Sequence, residues 1–204
     1  LEAMSAELKN CQFLLETGAS HRLFDLLENR ALDVIVATDM GQNISGFEVH
    51  PLLEEPFIVA APKGAVADGD MLRQLRRMQL IQYTTRHHMG RAIAAHLARQ
   101  NLRPTHRFEL DSYHAIMAMV ADGTGWTILT PLGWLRAQRF RDDVDLMPLP
   151  FAPLSRTISL TARRDILGEM PGTIAARLKP LLTEMIVAPA VAQYPWLGEQ
   201  LRLL

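Results

Sequence analysis

The 204 residues contain one cysteine, Cys11. No internal disulfide can form, and a reducing compartment is the simplest reading. A lone cysteine in an apolar run is expected to be a small core residue. Charge of one sign is not in excess either. Formal net charge is −1, so no overall basic field would hold this chain on nucleic acid by itself. No apolar run approaches the roughly 20 residues of a membrane helix. No charged segment followed by an apolar one opens the chain as a secretory signal would, so the expected location is cytoplasmic. Repeats at fixed period and low-complexity segments are missing. So are the common catalytic signatures. There is no GxSxG elbow, and Gly123-Thr124-Gly125 lacks the Gly and Lys of a phosphate loop. His87 and His88 are adjacent, which on a helix points them about 100° apart. With no HExxH and no Cys partner, no metal and no cofactor are expected. The chain is not expected to be an enzyme.

What is present is an ordinary globular balance, 49% hydrophobic and 21% charged, in a length that suits one large or two small domains. Leu1 to Lys9 reads as the tail of a helix, so the chain is expected to be a fragment of a longer protein. Cys11 to Glu16 reads as a strand. Ser20 to Asn29 places Leu23, Leu26 and Leu27 on one helical face, with Ser20 as N-cap. Leu32 to Thr38 (LDVIVAT) is β-branched and reads as a buried strand. This βαβ pattern predicts a parallel sheet flanked by helices. Phe47 to Leu53 and Phe57 to Ala61 read as two more strands.

A second series follows. Helices are expected over Asp70–Met78, Arg86–Gln100, Ser112–Asp122 and Pro131–Phe140. Strands are expected over Gln79–Tyr83, His106–Leu110, Trp126–Thr130 and Val144–Pro148. Gly123 suits the left-handed position that ends a helix. Thr157 to Ala162 alternates as a strand does. A last helix covers about Glu169 to Val187, and Pro180 should kink it or mark a boundary. The fold class is therefore α/β, two Rossmann-like lobes joined by two crossover strands. Residues 1–62 form the first part of lobe I, 63–155 lobe II, 156–187 the return to lobe I, and 188–204 a C-terminal tail. Hinge residues are expected at Ala60, Ala61 and Pro62 and at Thr157 and Ile158.

Ligands in open α/β sheets bind beyond the carboxyl ends of the strands. Three such ends carry hydroxyls: Thr38-Asp39, Thr84-Thr85-Arg86 and Thr130-Pro131. At the latter two a helix follows at once. Free N–H groups and the partial positive charge of a helix start favour a carboxylate or another small anion. Each threonine taken singly would only cap its helix. Their recurrence on two lobes points to a site. The basic run Arg73 to Arg77 is most simply a solvated helix face.

Four stretches carry a family resemblance: LFDLLENRALDVIVATD, PLLEEPFIVAAPKG, MVADGTGWTILTP and LPFAPLSRTISLTARRD. In this order and spacing the chain resembles the effector-binding domain of LysR-type transcriptional regulators, over about Glu7 to Val187. The resemblance implies a fold like that of type 2 periplasmic binding proteins. It implies a small-molecule inducer held between two lobes, and a signal to a separate winged helix-turn-helix domain. Carried over by position, the effector contacts would be Thr84, Thr85, Arg86, Thr130 and Pro131 on one lobe, and Thr38 and Asp39 on the other. It further implies a homodimer or tetramer, the helix near Arg86 packing on the partner's helix near Ser20. DNA would be bound only through a domain outside this sequence. The family's first strand finds no sequence here, so the expected set of contacts is incomplete. A transporter's solute-binding protein shares the fold and is the alternative reading.

Overall fold

Leu23 and Leu27, four apart on helix α1 (Ser20–Glu28), are buried against Ile35 of strand β1 (Val34–Thr38). Phe24, Leu32, Ala37 and Phe47 pack around them. The computed structural model describes residues 13–39 and 45–204. The expected helix tail at Leu1 to Lys9, Cys11 and Met40 lie outside the described residues. Phe13 to Glu16, expected as the end of a strand, have no regular structure, and Phe13, Leu14 and Leu15 are exposed. No described strand pairs with them, and extended chain without a ladder partner does not hold as a strand.

Arg163 ends α1. Its Nη1 donates to the carbonyls of Leu27 (2.7 Å) and Leu32 (2.9 Å), satisfying acceptors that a helix C-terminus leaves open. The N-cap is Ala19, not Ser20. The Ser20 hydroxyl instead accepts the Thr38 N–H at 3.3 Å.

The described residues divide into two compact units. One is bounded as Leu1–Leu53, Thr157–Thr183 and Leu203–Leu204, the other as Glu54–Arg156 and Glu184–Arg202. The chain thus passes between units within two long strands, β2 (Phe47–Pro56) and β8 (Ser155–Arg163), and again after Thr183 and after Arg202. Sheet order at these strands is β1-β8-β2-β9, where β9 is Arg202–Leu203. The βαβ reading of the first series is not what the described residues show. β1 pairs with β8 antiparallel, from Val34 opposite Ala162 to Thr38 opposite Ile158. The returning strand supplies the ladder partner that local sequence could not reveal.

In the second unit, β3 (Ile58–Pro62) lies between β6 (Thr127–Leu129) and β7 (Val144–Pro148), antiparallel to both. β4 (Leu80–Tyr83) and β5 (His106–Leu110) pair in parallel, joined by α3 (His88–Arg99). This is the crossover a parallel pair requires. On its other side β4 meets the chain leading into β6: Ile81 N–H donates to the Trp126 carbonyl at 2.8 Å, and Trp126 N–H to Gln79 at 3.0 Å. The largely apolar α4 (Tyr113–Ala121) packs on β3 and β4 through Ile116, Met117 and Val120. Gly123 follows it at φ +82°, the expected left-handed stop.

Three helix expectations are refined. α2 covers only Met71–Leu75, capped by Asp70, whose carboxylate accepts the Arg73 N–H at 2.9 Å. α5 is short, Pro131–Leu135, followed by a 3₁₀ turn at Gln138–Phe140. The last helix is α6 (Met170–Leu182), a π turn over Thr183–Val187, and α7 (Ala188–Gln193). Pro180 lies inside α6; its missing N–H deprives the ladder of a bond just before the wider turn. Residues 188–204 do not trail away. Arg202 binds Glu54 through Nε (2.9 Å) and Nη2 (2.8 Å), and the Leu204 N–H donates to Leu52 at 3.1 Å.

Candidate functional site

At the carboxyl ends of the parallel pair, the Thr84 N–H donates to the Leu110 carbonyl at 2.7 Å. The chain then turns, with the His87 N–H on the Thr84 carbonyl at 3.2 Å, and α3 begins. Gly90 permits this close start. A Cβ there would stand 2.0 Å from the Thr84 oxygen and 2.5 Å from the Tyr83 oxygen. The N-cap of α3 is His87, without a side-chain cap bond, so Thr84 and Thr85 do not cap it. Their donors converge on one oxygen of Glu109. Thr84 Oγ1 donates at 2.7 Å, Thr85 N–H at 2.8 Å and Thr85 Oγ1 at 3.1 Å. These bonds, Thr84's first, hold the Glu109 carboxyl below the usual carboxylate range, helped by Arg86. Arg86 is exposed, and its Nε reaches Thr84 Oγ1 at 3.4 Å.

Thr130 caps α5 as expected, its Oγ1 accepting the Gly133 N–H at 3.4 Å, with Pro131 in the first turn. The hydroxyl is fully buried and also accepts from Arg156 Nη2 at 3.2 Å. The free N–H expected at this helix start is taken. Leu132 N–H donates to Glu55 Oε2 at 3.0 Å. Glu55 is fully buried, and its other oxygen pairs with Arg156. Burial works against the Arg156 charge, but Glu55 and Tyr113 outweigh it and hold its pKa up. The Tyr113 hydroxyl meets the Met89 sulfur at 3.0 Å, and its ring lies 5.3 Å from that of Tyr83. Burial pushes the Tyr83 phenol up to about 12. Burial, then Arg91 and Arg156, lowers His88. The α5 start therefore carries a carboxylate of the chain itself, Glu55, and the Thr84-Thr85 turn ahead of α3 carries another, Glu109.

In the first unit, Thr38 and Asp39 end β1 beside the expected hinge residues of β8. Ile158 stands opposite Thr38, and the Asp39 N–H donates to the Thr157 carbonyl at 2.8 Å. Thr38 is 8% exposed. Ala60, Ala61 and Pro62 lie in β3, paired with β7 inside the second unit's sheet. Among the described residues no group of three or more His, Cys, Asp or Glu could hold a metal ion. No helix among them is long and apolar enough to cross a membrane.

Sequence reasoning missed Glu55, Arg156, Glu109, Tyr113 and Gly90. Glu55 had a signal: a carboxylate inside the apolar run PLLEEPFIVA has to find a partner. Glu109 had none, since it sits in an exposed strand.

Residues 1–169 match the family model of the LysR substrate binding domain. A mutant OxyR of Corynebacterium glutamicum superposes with a TM-score of 0.75 at 20% identity, covering 94% of this chain and 61% of that one. The regulatory domain of Synechocystis CcmR in complex with 2-PG gives 0.73 at 16% identity, covering 88% of each chain. The effector binding domain of QuiR in complex with shikimate gives 0.70 at 15%, again covering 88% of each. At these identities the likeness establishes the fold, that of type 2 periplasmic binding proteins. The malonate utilization transcriptional regulator of Klebsiella pneumoniae is 39% identical over 64 residues, 30% of this chain and 21% of that protein. The chain accordingly belongs to the LysR substrate binding domain family.

Proposed function

We propose that this chain is the ligand-sensing domain of a LysR-type transcriptional regulator, which binds a small-molecule effector and biases a DNA-binding domain outside this sequence. The family match over residues 1–169 carries the reading. It favours a regulator over a transporter's solute-binding protein. In the second unit the effector contacts are Thr84, Thr85 and Arg86. Thr157 and Ile158, where β8 passes from one unit to the other, act as a hinge; Ala60, Ala61 and Pro62 lie inside the second unit's sheet and do not. The full protein works in the cytoplasm as a homodimer or tetramer and performs no catalysis. Similar domains solved with shikimate and with 2-PG, and a relative named for malonate use, support a small carboxylate as the ligand. For signalling, the effector has to bind one conformation more tightly than another.

A thermal-shift screen against malonate, shikimate, other small carboxylates, amino acids, aromatic acids and sugars tests this. A ligand specific to the native state stabilises it by about 2.7 kcal/mol at 100 Kd. A saturable shift with one compound is expected. Absence of any shift across the set, in a protein that unfolds cooperatively, counts against a sensor.

A further inference from the structure

The cradle formed by Thr84 and Thr85 already binds an anionic oxygen, that of Glu109. Three donors from two adjacent residues meet at Glu109 Oε1, at 2.7, 2.8 and 3.1 Å. One is the backbone N–H of Thr85, in the turn that follows β4, and one comes from the buried Thr84 hydroxyl. Their directions are set by the fold, because the Thr84 N–H and carbonyl are both engaged, by Leu110 and His87. The occupant is less constrained. Glu109 is exposed on β5, and only Oε1 takes part in the cradle bonds. Rotating its side chain into water would vacate the cradle without breaking a ladder bond.

The contrast with Glu55 is informative. Glu55 is fully buried, paired with Arg156 and bound to the Leu132 N–H. Swinging it away would leave its own charge and that of Arg156 unpaired in a low dielectric. The α5 start is therefore permanently filled, whereas the Thr84-Thr85 cradle is filled by a group that can leave.

We propose that Glu109 is a built-in competitor at the Thr84-Thr85 turn, displaced when a carboxylate ligand binds there. The proposal rests on the ligand-sensing reading above and adds the residue that sets the response threshold. Glu109 occupies the cradle at an effective concentration fixed by the fold. A free carboxylate gains the same three bonds but first loses those of Glu109. Glu109 thus raises the concentration at which the sensor responds. It also excludes neutral isosteres, which cannot match the bonds of an anionic oxygen.

The test uses acetate as the probe and acetamide as its neutral counterpart, followed by thermal unfolding of wild type and Glu109→Ala. Acetate is expected to raise the midpoint of Glu109→Ala saturably and to leave wild type nearly unchanged. Acetamide should do neither, and Thr85→Val on the Glu109→Ala background should abolish the acetate effect. Any carboxylate found in the wild-type screen should bind Glu109→Ala about tenfold more tightly or better, the scale of a charge-assisted hydrogen bond. Equal acetate shifts in both proteins, or none in the variant, overturns the subsite. A wild-type ligand whose affinity is unchanged or weakened by Glu109→Ala overturns the competitor. A neutral wild-type ligand would leave the sensor reading standing and remove the carboxylate proposal. If Glu109→Ala does not fold, Glu109→Gln, which keeps the shape and loses the charge, takes its place with the same outcomes.

Discussion

Arg156 and Glu55, 101 residues apart in the chain, meet as a buried ion pair at which Arg156 Nε donates to Glu55 Oε1 at 2.7 Å. The pair joins the last residue of β8 inside the second unit to β2, and both side chains extend to the first turn of α5.

Breaking the pair should be costly. Arg156→Met or Glu55→Met each leaves one charge uncompensated, and about 3–5 kcal/mol of stability should be lost. The double variant should lose much less than the sum, because no charge is then stranded. Urea unfolding of the four proteins measures this. Additive losses would mean that the two side chains act separately.

Gly90→Ala should distort the start of α3. The new Cβ would meet backbone oxygens at 2.0 and 2.5 Å, and neither can move as a side chain can. A loss of about 1–3 kcal/mol or more is expected. The Thr84 and Thr85 amide resonances should shift as well. A variant as stable as wild type would show that the helix start has room to adjust.

Thr130→Val keeps the shape and removes an acceptor used by Gly133 and Arg156. A loss of about 1–3 kcal/mol is expected from the cap and from an unsatisfied buried donor. Thr130→Ser should retain most of the stability. Equal losses in the two variants would mean that the methyl group, which serine lacks, matters as much as the hydroxyl.

Acid should loosen the anchoring of the C-terminal residues. Hydrogen bonds from Arg202, then from Ser155, hold the Glu54 carboxyl below the usual carboxylate range. A carboxyl with a depressed folded pKa adds stability that is fully present above its unfolded value. That stability is lost as pH falls through the folded value. Urea midpoints of Glu54→Gln should therefore fall less steeply than those of wild type below about pH 4.5, and lie below them at neutral pH. Parallel curves for the two proteins would remove Glu54 from the acid response.

Much of the second unit could be read locally. The strand, helix and strand expected from Leu80 to Leu110 form a parallel pair with its crossover, and Gly123 and Thr130-Pro131 stop and start helices where their backbone preferences demand. The first unit was harder. LDVIVAT was a strand, but its neighbour is β8, more than 120 residues later, and the antiparallel ladder of Thr38 with Ile158 leaves no local trace. The threonines at the strand ends were legible because turn and cap chemistry is local. Their partners were not. Glu109 meets Thr84 only because parallel pairing sets Gln82 beside Glu109.

The sequence by itself determined the family, the order of the elements and the hydroxyls at the strand ends, since periodicity, capping and motif spacing act within a dozen residues. Only the tertiary structure decided what those hydroxyls bind. Hydrogen bonds and ion pairs depend on approach to within about 3 Å, and that approach is fixed by which distant strands share a ladder. The donors of Thr84, Thr85 and α5 looked open along the chain. In three dimensions Glu109 and Glu55 fill them, one from an exposed strand and one from a buried pair.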